Sequence, residues 1–351
     1  MKFYFSKLSH LICLILISYT LGFSAETTQK WYRGNTHTHT VICGHADSTP
    51  DFVAQWYHDR GYNFLVLSEH NHFIDPKTVN VKGKREDFIL VPGIELTEKV
   101  HSTSLNVKEV IKPKRYKKNT SIQEMIQSHV DRAKEKGGEC ILNHPNFHWR
   151  VSHEDMLGVN NLPLFELYNG HPHVYSHGNH EHASTEEMWD FILSHGKVLY
   201  GVSSDDAHHF QEKNIKPKKS NPGRGWVMVE ASSLTPDAIT AALSKGKFYA
   251  SNGVHLSACK ANGSYQIAID EKATLKELES PILRGKIVKK GKVGFKIEWI
   301  SKDGKVLKTS NQLSDTFDQP FEIYLRPKVT YTRKLDDQFE EYYAWGQPKF
   351  K

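Results

Sequence analysis

From Trp31 to about Ser251, short apolar runs alternate with longer stretches whose apolar positions recur at helical spacing. Thr49-Pro50-Asp51 supplies helix-start chemistry, a capping hydroxyl followed by proline in the first turn. Phe52, Val53, Trp56 and Tyr57 then keep helical spacing until Gly61 stops it. Phe64-Leu65-Val66-Leu67 follows as a buried strand that ends directly in Ser68-Glu69-His70. The grammar repeats. Phe88-Ile89-Leu90-Val91 leads to Gly93 and Glu95, and a helix from Ser121 through Ala133 leads past Gly137-Gly138 to Cys140-Ile141-Leu142 and His144. Leu164-Phe165-Glu166-Leu167 leads to Asn169, and a helix from Thr185 to Leu193 leads to Val198-Leu199-Tyr200-Gly201-Val202 and Asp206. A last helix runs from Thr235-Pro236-Asp237 to Gly246, before a closing strand at Phe248-Tyr249-Ala250-Ser251.

Strands that alternate with helices predict parallel βα units, and apolar strands without polar alternation predict burial on both faces. A closed or nearly closed α/β barrel follows, with reactive groups gathered at the C-terminal ends of its strands. Residues 255–351 change texture to short alternating segments such as Gly291-Lys292-Val293-Gly294-Phe295-Lys296-Ile297-Glu298-Trp299, with turns such as Lys302-Asp303-Gly304-Lys305. They predict a small all-β, sandwich-like domain. The expected division is 1–24, 25–253 and 254–351.

The first of these segments has the order of a secretory signal. Lys2 and Lys7 precede Leu11-Ile12-Cys13-Leu14-Ile15-Leu16-Ile17, and Gly22, Ser24 and Ala25 offer a small-residue cleavage site. The apolar core is shorter than a spanning helix needs, so the reading is an exported protein, periplasmic or extracellular, without a stable membrane span. Removing residues 1–24 lowers the formal charge from +6 to +4. That mild excess sits in two lysine runs, at 112–118 and 216–219, without the basic, aromatic-interleaved stripe of a nucleic-acid binder. Either the runs are solvated loops or they draw an anionic substrate toward a nearby site. Cys43, Cys140 and Cys259 remain, an odd number with no paired spacing, so no disulfide framework is expected.

Against this frame stand His37-Thr38-His39, then His45, Ser68-Glu69-His70, Gly93-Ile94-Glu95, Asn143-His144-Pro145 and Asp206-Ala207-His208. Residues two apart on a strand share a side, so His37 with His39, and Asp206 with His208, can each grip one ion together. Each motif alone is weak. Imidazoles and carboxylates placed after five successive strand-like runs together predict a polynuclear site for zinc, manganese or iron.

The order HxH, a histidine after the next strand, Gly-x-Glu, Asn-His-Pro and Asp-x-His resembles the polymerase and histidinol phosphatase (PHP) superfamily. The resemblance covers residues 31–251 and is carried most specifically by Gly34-Asn35-Thr36-His37-Thr38-His39-Thr40 and by residues 61–71. It implies a distorted (β/α)7 barrel with two or three divalent ions, zinc first and manganese or iron otherwise. Many members carry Ser-Asp-Gly after HxH, whereas this chain has Cys43-Gly44-His45, which resembles the trinuclear members. Position by position, the likeness assigns one ion to His37, His39, Glu95 and Asp206, a second to Glu95, His144 and His101, and a third to His45, His70 and His208. Around them, His171 is either a substrate contact above the site or a solvated surface histidine, and His209 either an acid–base group or a loop cap. Arg224 is either a phosphate fork or a turn arginine. Asp47 reads as a turn or cap residue and Cys43 as a small buried thiol.

The expected activity is hydrolysis of a small, anionic ester, a phosphoester first, by water activated at the metal centre. A branch of the superfamily that resembles this chain in Asp-Asp-Ala-His and the trailing β region includes hydrolases of aryl carbamate esters. The contrasting class is a non-catalytic metal- or carbohydrate-binding module, whose mark would be lost ligands. Nothing in the letters bears on oligomeric state.

Overall fold

The computed structural model describes Met1, residues 29–83 and residues 85–351, so the expected signal segment lies outside the described residues apart from Met1. The chain is mixed α/β. Its first part contains β1 (Lys30–Asn35), α1 (Pro50–His58), β2 (Phe64–Leu65), β3 (Ile89–Leu90), β4 (Gly93–Thr97), β5 (His101–Leu105), α2 (Ile122–Glu135) and β6 (Glu139–Leu142). It continues through α3 (His153–Leu157), β7 (Leu164–Asn169), α4 (Thr185–Ser194), β8 (Tyr200–Ser204), β9 (Trp226–Ala231), α5 (Pro236–Leu243) and β10 (Phe248–Ser251).

The helix starts follow from the sequence. Thr49, Ser121, Ser184 and Thr235 each place a side-chain oxygen on a first-turn N–H, and Ser121 with Glu124 and Ser184 with Glu187 complete reciprocal capping boxes. The strands depart from the expected parallel ring. β4 and β5 are joined only by Glu98–Val100, too short for a crossover helix, so β4, β5 and β6 pair antiparallel before β6, β7 and β8 pair parallel. On the other side β1, β2 and β3 are parallel, while β9 runs antiparallel to both β1 and β10. Among the described residues the ladders of β1–β10 therefore fall in two mixed sheets rather than one closed parallel barrel. Phe64, Val66, Ile141, Leu164, Val202, Val227 and Phe248 fill the space the two sheets share, and all seven are buried.

Beyond β10 come β11 (Leu256–Lys260), β12 (Tyr265–Ile269), α6 (Glu271–Glu277), β13 (Lys286–Val288), β14 (Gly294–Ser301), β15 (Lys305–Ser310), β16 (Ser314–Phe317), β17 (Tyr324–Leu335), β18 (Gln338–Gly346) and β19 (Lys349–Phe350). Short β strands match the alternating texture; α6, capped by Asp270, was hidden by its brevity. β18 pairs antiparallel with β10, so the large sheet runs on through β18, β17, β14 and β15. The Gln347 side chain closes onto β8, accepting the Gly201 N–H and donating to the Gly201 carbonyl, both at 3.0 Å. A second tie joins α4 to β17. Arg326 grips Asp190 at 2.6 and 2.7 Å and reaches Glu186 at 3.1 Å, while Lys328 reaches Glu186 at 2.6 Å. Among the described residues no helix is long and apolar enough to cross a membrane.

Candidate metal centre

Two loop segments set the centre's frame. Thr38 bridges Ala207 in parallel register, with the His39 N–H on the Ala207 carbonyl and the Asp206 N–H on the His37 carbonyl, both at 3.0 Å. HxH and DxH thus lie side by side, each presenting its i and i+2 side chains to the same space. A second bridge joins His70 to Glu95 on β4. His101 opens β5 directly opposite Thr97, and His144 follows β6. His144 and Asp206 are held at φ 24° and 48°, backbone strain that a non-glycine residue tolerates only where its surroundings enforce it.

The donor atoms crowd. His37 Nε2 and His39 Nε2 are 3.0 Å apart, and Asp206 Oδ1 lies 3.4 and 3.2 Å from them. Glu95 Oε1 is 3.4 Å from His37 Nε2, from His101 Nδ1 and from His144 Nε2. Ligands sitting 2.0–2.2 Å from one ion are separated by about 3.0–3.5 Å, so this spacing suits a shared cation. Glu95 Oε2 meets His70 Nδ1 at 2.5 Å, and Thr97 Oγ1 bridges both, at 3.0 and 2.7 Å. His45 stacks between His70 and His208, ring centroids 5.2 and 4.6 Å away. Potential ligand atoms of His39, His70 and His208 fall within 4.8 Å of one another, as do those of Cys43, His45 and His208. Cys43, expected as a buried thiol, is half-buried at the edge of this group.

Burial opposes ionisation of Glu95 and Asp206, yet the His37 imidazole beside both holds them well below the usual carboxylate range. Against the same burial, Asp206, Glu166 and Glu95 push His37 up to about 9, whereas burial drives His208 down to about 2 and His171 to about 4. Without an ion, then, protons on His37 and His39 offset buried carboxylates that a cation could neutralise instead. His39 Nδ1, Glu69 Oε2, His101 Nδ1 and His208 Nε2 are buried with no hydrogen-bond partner. Buried polar atoms are rarely left so, and four in one cluster fit a bound group. The residues present therefore fit divalent ions.

Carboxylates that were not singled out in the sequence hold the frame. Glu166 accepts from His37 Nδ1 at 2.8 Å, from Ser204 Oγ at 2.5 Å, from the His144 N–H at 2.7 Å and from Asn169 at 2.8 Å. This is the carboxylate–histidine arrangement that orients a metal ligand. Its signal was a lone acid inside the apolar run Leu164-Phe165-Glu166-Leu167. Glu69 takes the Thr40 N–H at 2.5 Å. Asp205, pushed up to about 7 by burial, accepts from Tyr57, Asn35 and the Gly223 N–H.

The remaining candidates separate. His171 lies beside the cluster, its ring 5.9 Å from His208, and its Nδ1 accepts the His173 N–H. His209 is half-buried at the rim, 6.4 Å from His208 ring to ring, with Nδ1 3.3 Å from Ser220 Oγ. Arg224 as a phosphate fork is corrected. It is buried, and its Nε, Nη1 and Nη2 bind the carbonyls of Ile282, Lys219 and Lys216 and the Asn221 side chain, which makes it a loop clamp. Asp47 likewise clamps a loop, through the N–H groups of Phe210 and Gln211 and through Asn214.

No family model matches the chain, and no curated protein matches it. Among solved structures, the chain is similar to a two-domain protein from Bacteroides vulgatus containing a predicted PHP-like metal-dependent phosphoesterase. The likeness has 14% identity and a TM-score of 0.47, and covers 90% of this chain and 95% of that one. An identity this low transfers no chemistry from one chain to the other.

Proposed function

We propose that this chain is an exported metal-dependent hydrolase of the polymerase and histidinol phosphatase type, acting on a phosphoester. The observation that carries the reading is the packing of His37 Nε2, His39 Nε2, Asp206 Oδ1 and Glu95 Oε1 at 3.0–3.4 Å along the contacts that join them. Those four residues would hold one divalent ion, Glu95, His101 and His144 a second, and His45, His70 and His208 a third, with zinc first and manganese or iron otherwise. Bound there, such ions supply a water acidic enough to ionise near neutral pH and offset charge that builds at the attacked centre.

The chain's own residues do the rest. Glu166 fixes His37 through Nδ1, so Nε2 is the nitrogen left to face the site. His171, neutral at pH 7 and accepting at Nδ1, carries its hydrogen on Nε2 and offers that N–H as a hydrogen bond to a substrate oxygen, with no proton transferred. His209 at the rim exchanges protons with the departing group. A second reading keeps these residues and changes the bond to an aryl carbamate or carboxylic ester. It is favoured by Phe147, whose ring lies 5.4 Å from His144 and 5.9 Å from His101.

The test is to strip the purified chain with chelator, reload it with zinc or manganese, and assay 4-nitrophenyl phosphate beside an aryl acetate and an aryl carbamate. Loaded protein should release phosphate and stripped protein should not. Phenol release without phosphate selects the second reading. A fully loaded chain inert toward all three esters overturns both.

A further inference from the structure

The run Lys112-Pro113-Lys114-Arg115-Tyr116-Lys117-Lys118 could have been a loose solvated loop, but its backbone is tied down. Arg132 of α2 donates to the Lys112 carbonyl at 3.0 Å, to Tyr116 Oη at 3.1 Å and to both oxygens of Glu98 at 3.1 and 3.2 Å. Glu98 also takes the Lys114 N–H at 2.6 Å and His129 Nε2 at 3.0 Å. The loop is therefore held against α2 and the β4–β5 turn. Glu98, the one acid in the cavity wall, is fully engaged, and its hydrogen bonds hold it at about 2 against burial.

What the clamp builds is a cavity of about 600 Å³, lined by Thr97, Lys99, Lys114, Arg115, Lys117 and Lys118 among others. Among the described residues, none of those five cations takes part in an ion pair. All five are exposed, and like charges gathered around one open concave space concentrate an anion there. Thr97 stands between this space and the histidine cluster: it lines the cavity, and its hydroxyl contacts His70 Nδ1 at 2.7 Å and Glu95 Oε2 at 3.0 Å.

We infer that this cavity is an anion subsite, holding a second phosphate or carboxylate of the substrate while the scissile ester lies at the histidine cluster. The inference rests on the hydrolase reading for its role in turnover, but not for its binding chemistry. The substrate class is thus an ester with two separated anionic groups. Arg115 offers a planar fork to one of them and the lysines supply point charge.

Two measurements test it. In the first, metal-loaded protein is assayed on phenyl phosphate and on carboxyphenyl phosphate. Wild type should prefer the second by about tenfold or more in kcat/KM, and the ratio should collapse toward one in K114A/R115A/K117A. It should survive in K213A/K216A/K218A, which removes as much charge from another loop. In the second, naphthalene-1,3,6-trisulfonate, which cannot be hydrolysed, is titrated by fluorescence. Its affinity should fall about tenfold or more in the 114–117 variant and stay unchanged in His37→Ala. Equal binding by wild type and the 114–117 variant, or an equal loss in the 213–218 variant, overturns the subsite. Selective loss of binding in a chain that hydrolyses no ester leaves the subsite standing and removes the hydrolase.

Discussion

Two buried charge clusters in this chain look alike by composition and differ in how they are balanced. At the α4–β17 junction, Arg326 and Lys328 meet Asp190 and Glu186, two cations for two anions, and Arg326 Nη1 is the one side-chain atom of the four left without a partner. At the histidine cluster, Glu69, Glu95, Glu166 and Asp206 meet imidazoles whose charge depends on bound protons, and four donor or acceptor atoms stay unmatched. A cluster that balances itself is mortar. One that does not is built for something that arrives from outside.

The contrast breaks most severely if the clusters trade roles. Asp206→Ala should take hydrolysis to background and lower bound metal, read by mass spectrometry of the native protein, while near-ultraviolet circular dichroism stays that of a folded chain. Arg326→Ala should do the opposite. It takes the guanidinium from buried Asp190, leaving it only the Tyr324 hydroxyl, while Glu186 keeps Lys328, and should cost about 3 kcal/mol in denaturant unfolding, with metal per folded molecule unchanged. If Arg326→Ala instead released metal without destabilising the fold, the division between the clusters would be wrong. Smaller again, Glu166→Gln keeps shape but weakens the grip on His37, and metal affinity should fall by about 10–100-fold.

The smallest effect is one of pH. Burial opposes ionisation of Glu186, but Lys328 and Arg326 hold it at about 2. Its folded value lies below the ordinary carboxylate range, so its contribution is present above about pH 4.3 and is lost as pH falls toward 2. Wild type should outlast Glu186→Gln by about 2 kcal/mol at neutral pH, and the gap should close in acid unfolding. A gap that persists at pH 2 would assign the difference to packing.

The sequence carried the two clusters unequally. HxH, Gly-x-Glu and Asp-x-His were legible because side chains that converge at strand ends follow a period of two and repeat after each apolar run. Glu166 and Asp205 were harder, since a buried acid looks like any other until its partners are known. Arg326 with Asp190 was invisible, because residues so far apart in the chain meet only through tertiary packing. Helix starts were readable from their caps, at Thr49 and Ser121 for example. Strand direction was not: apolar runs state burial, whereas the antiparallel turn at Glu98–Val100 is decided by connection length. Arg224 misled for a related reason, as guanidinium chemistry reads the same whether it faces a ligand or a loop's carbonyls.

The pairing of β10 with β18 sets an order of assembly. β10 is made well before β18, and its outer edge has no hydrogen-bonding neighbour until that downstream strand has emerged. Such long-range closure is slow, and an open edge invites foreign strands in the interval. For the nascent chain, the hazard lies in the wait between those two strands, when a chaperone or rapid dilution would do the most to raise the yield of folded protein.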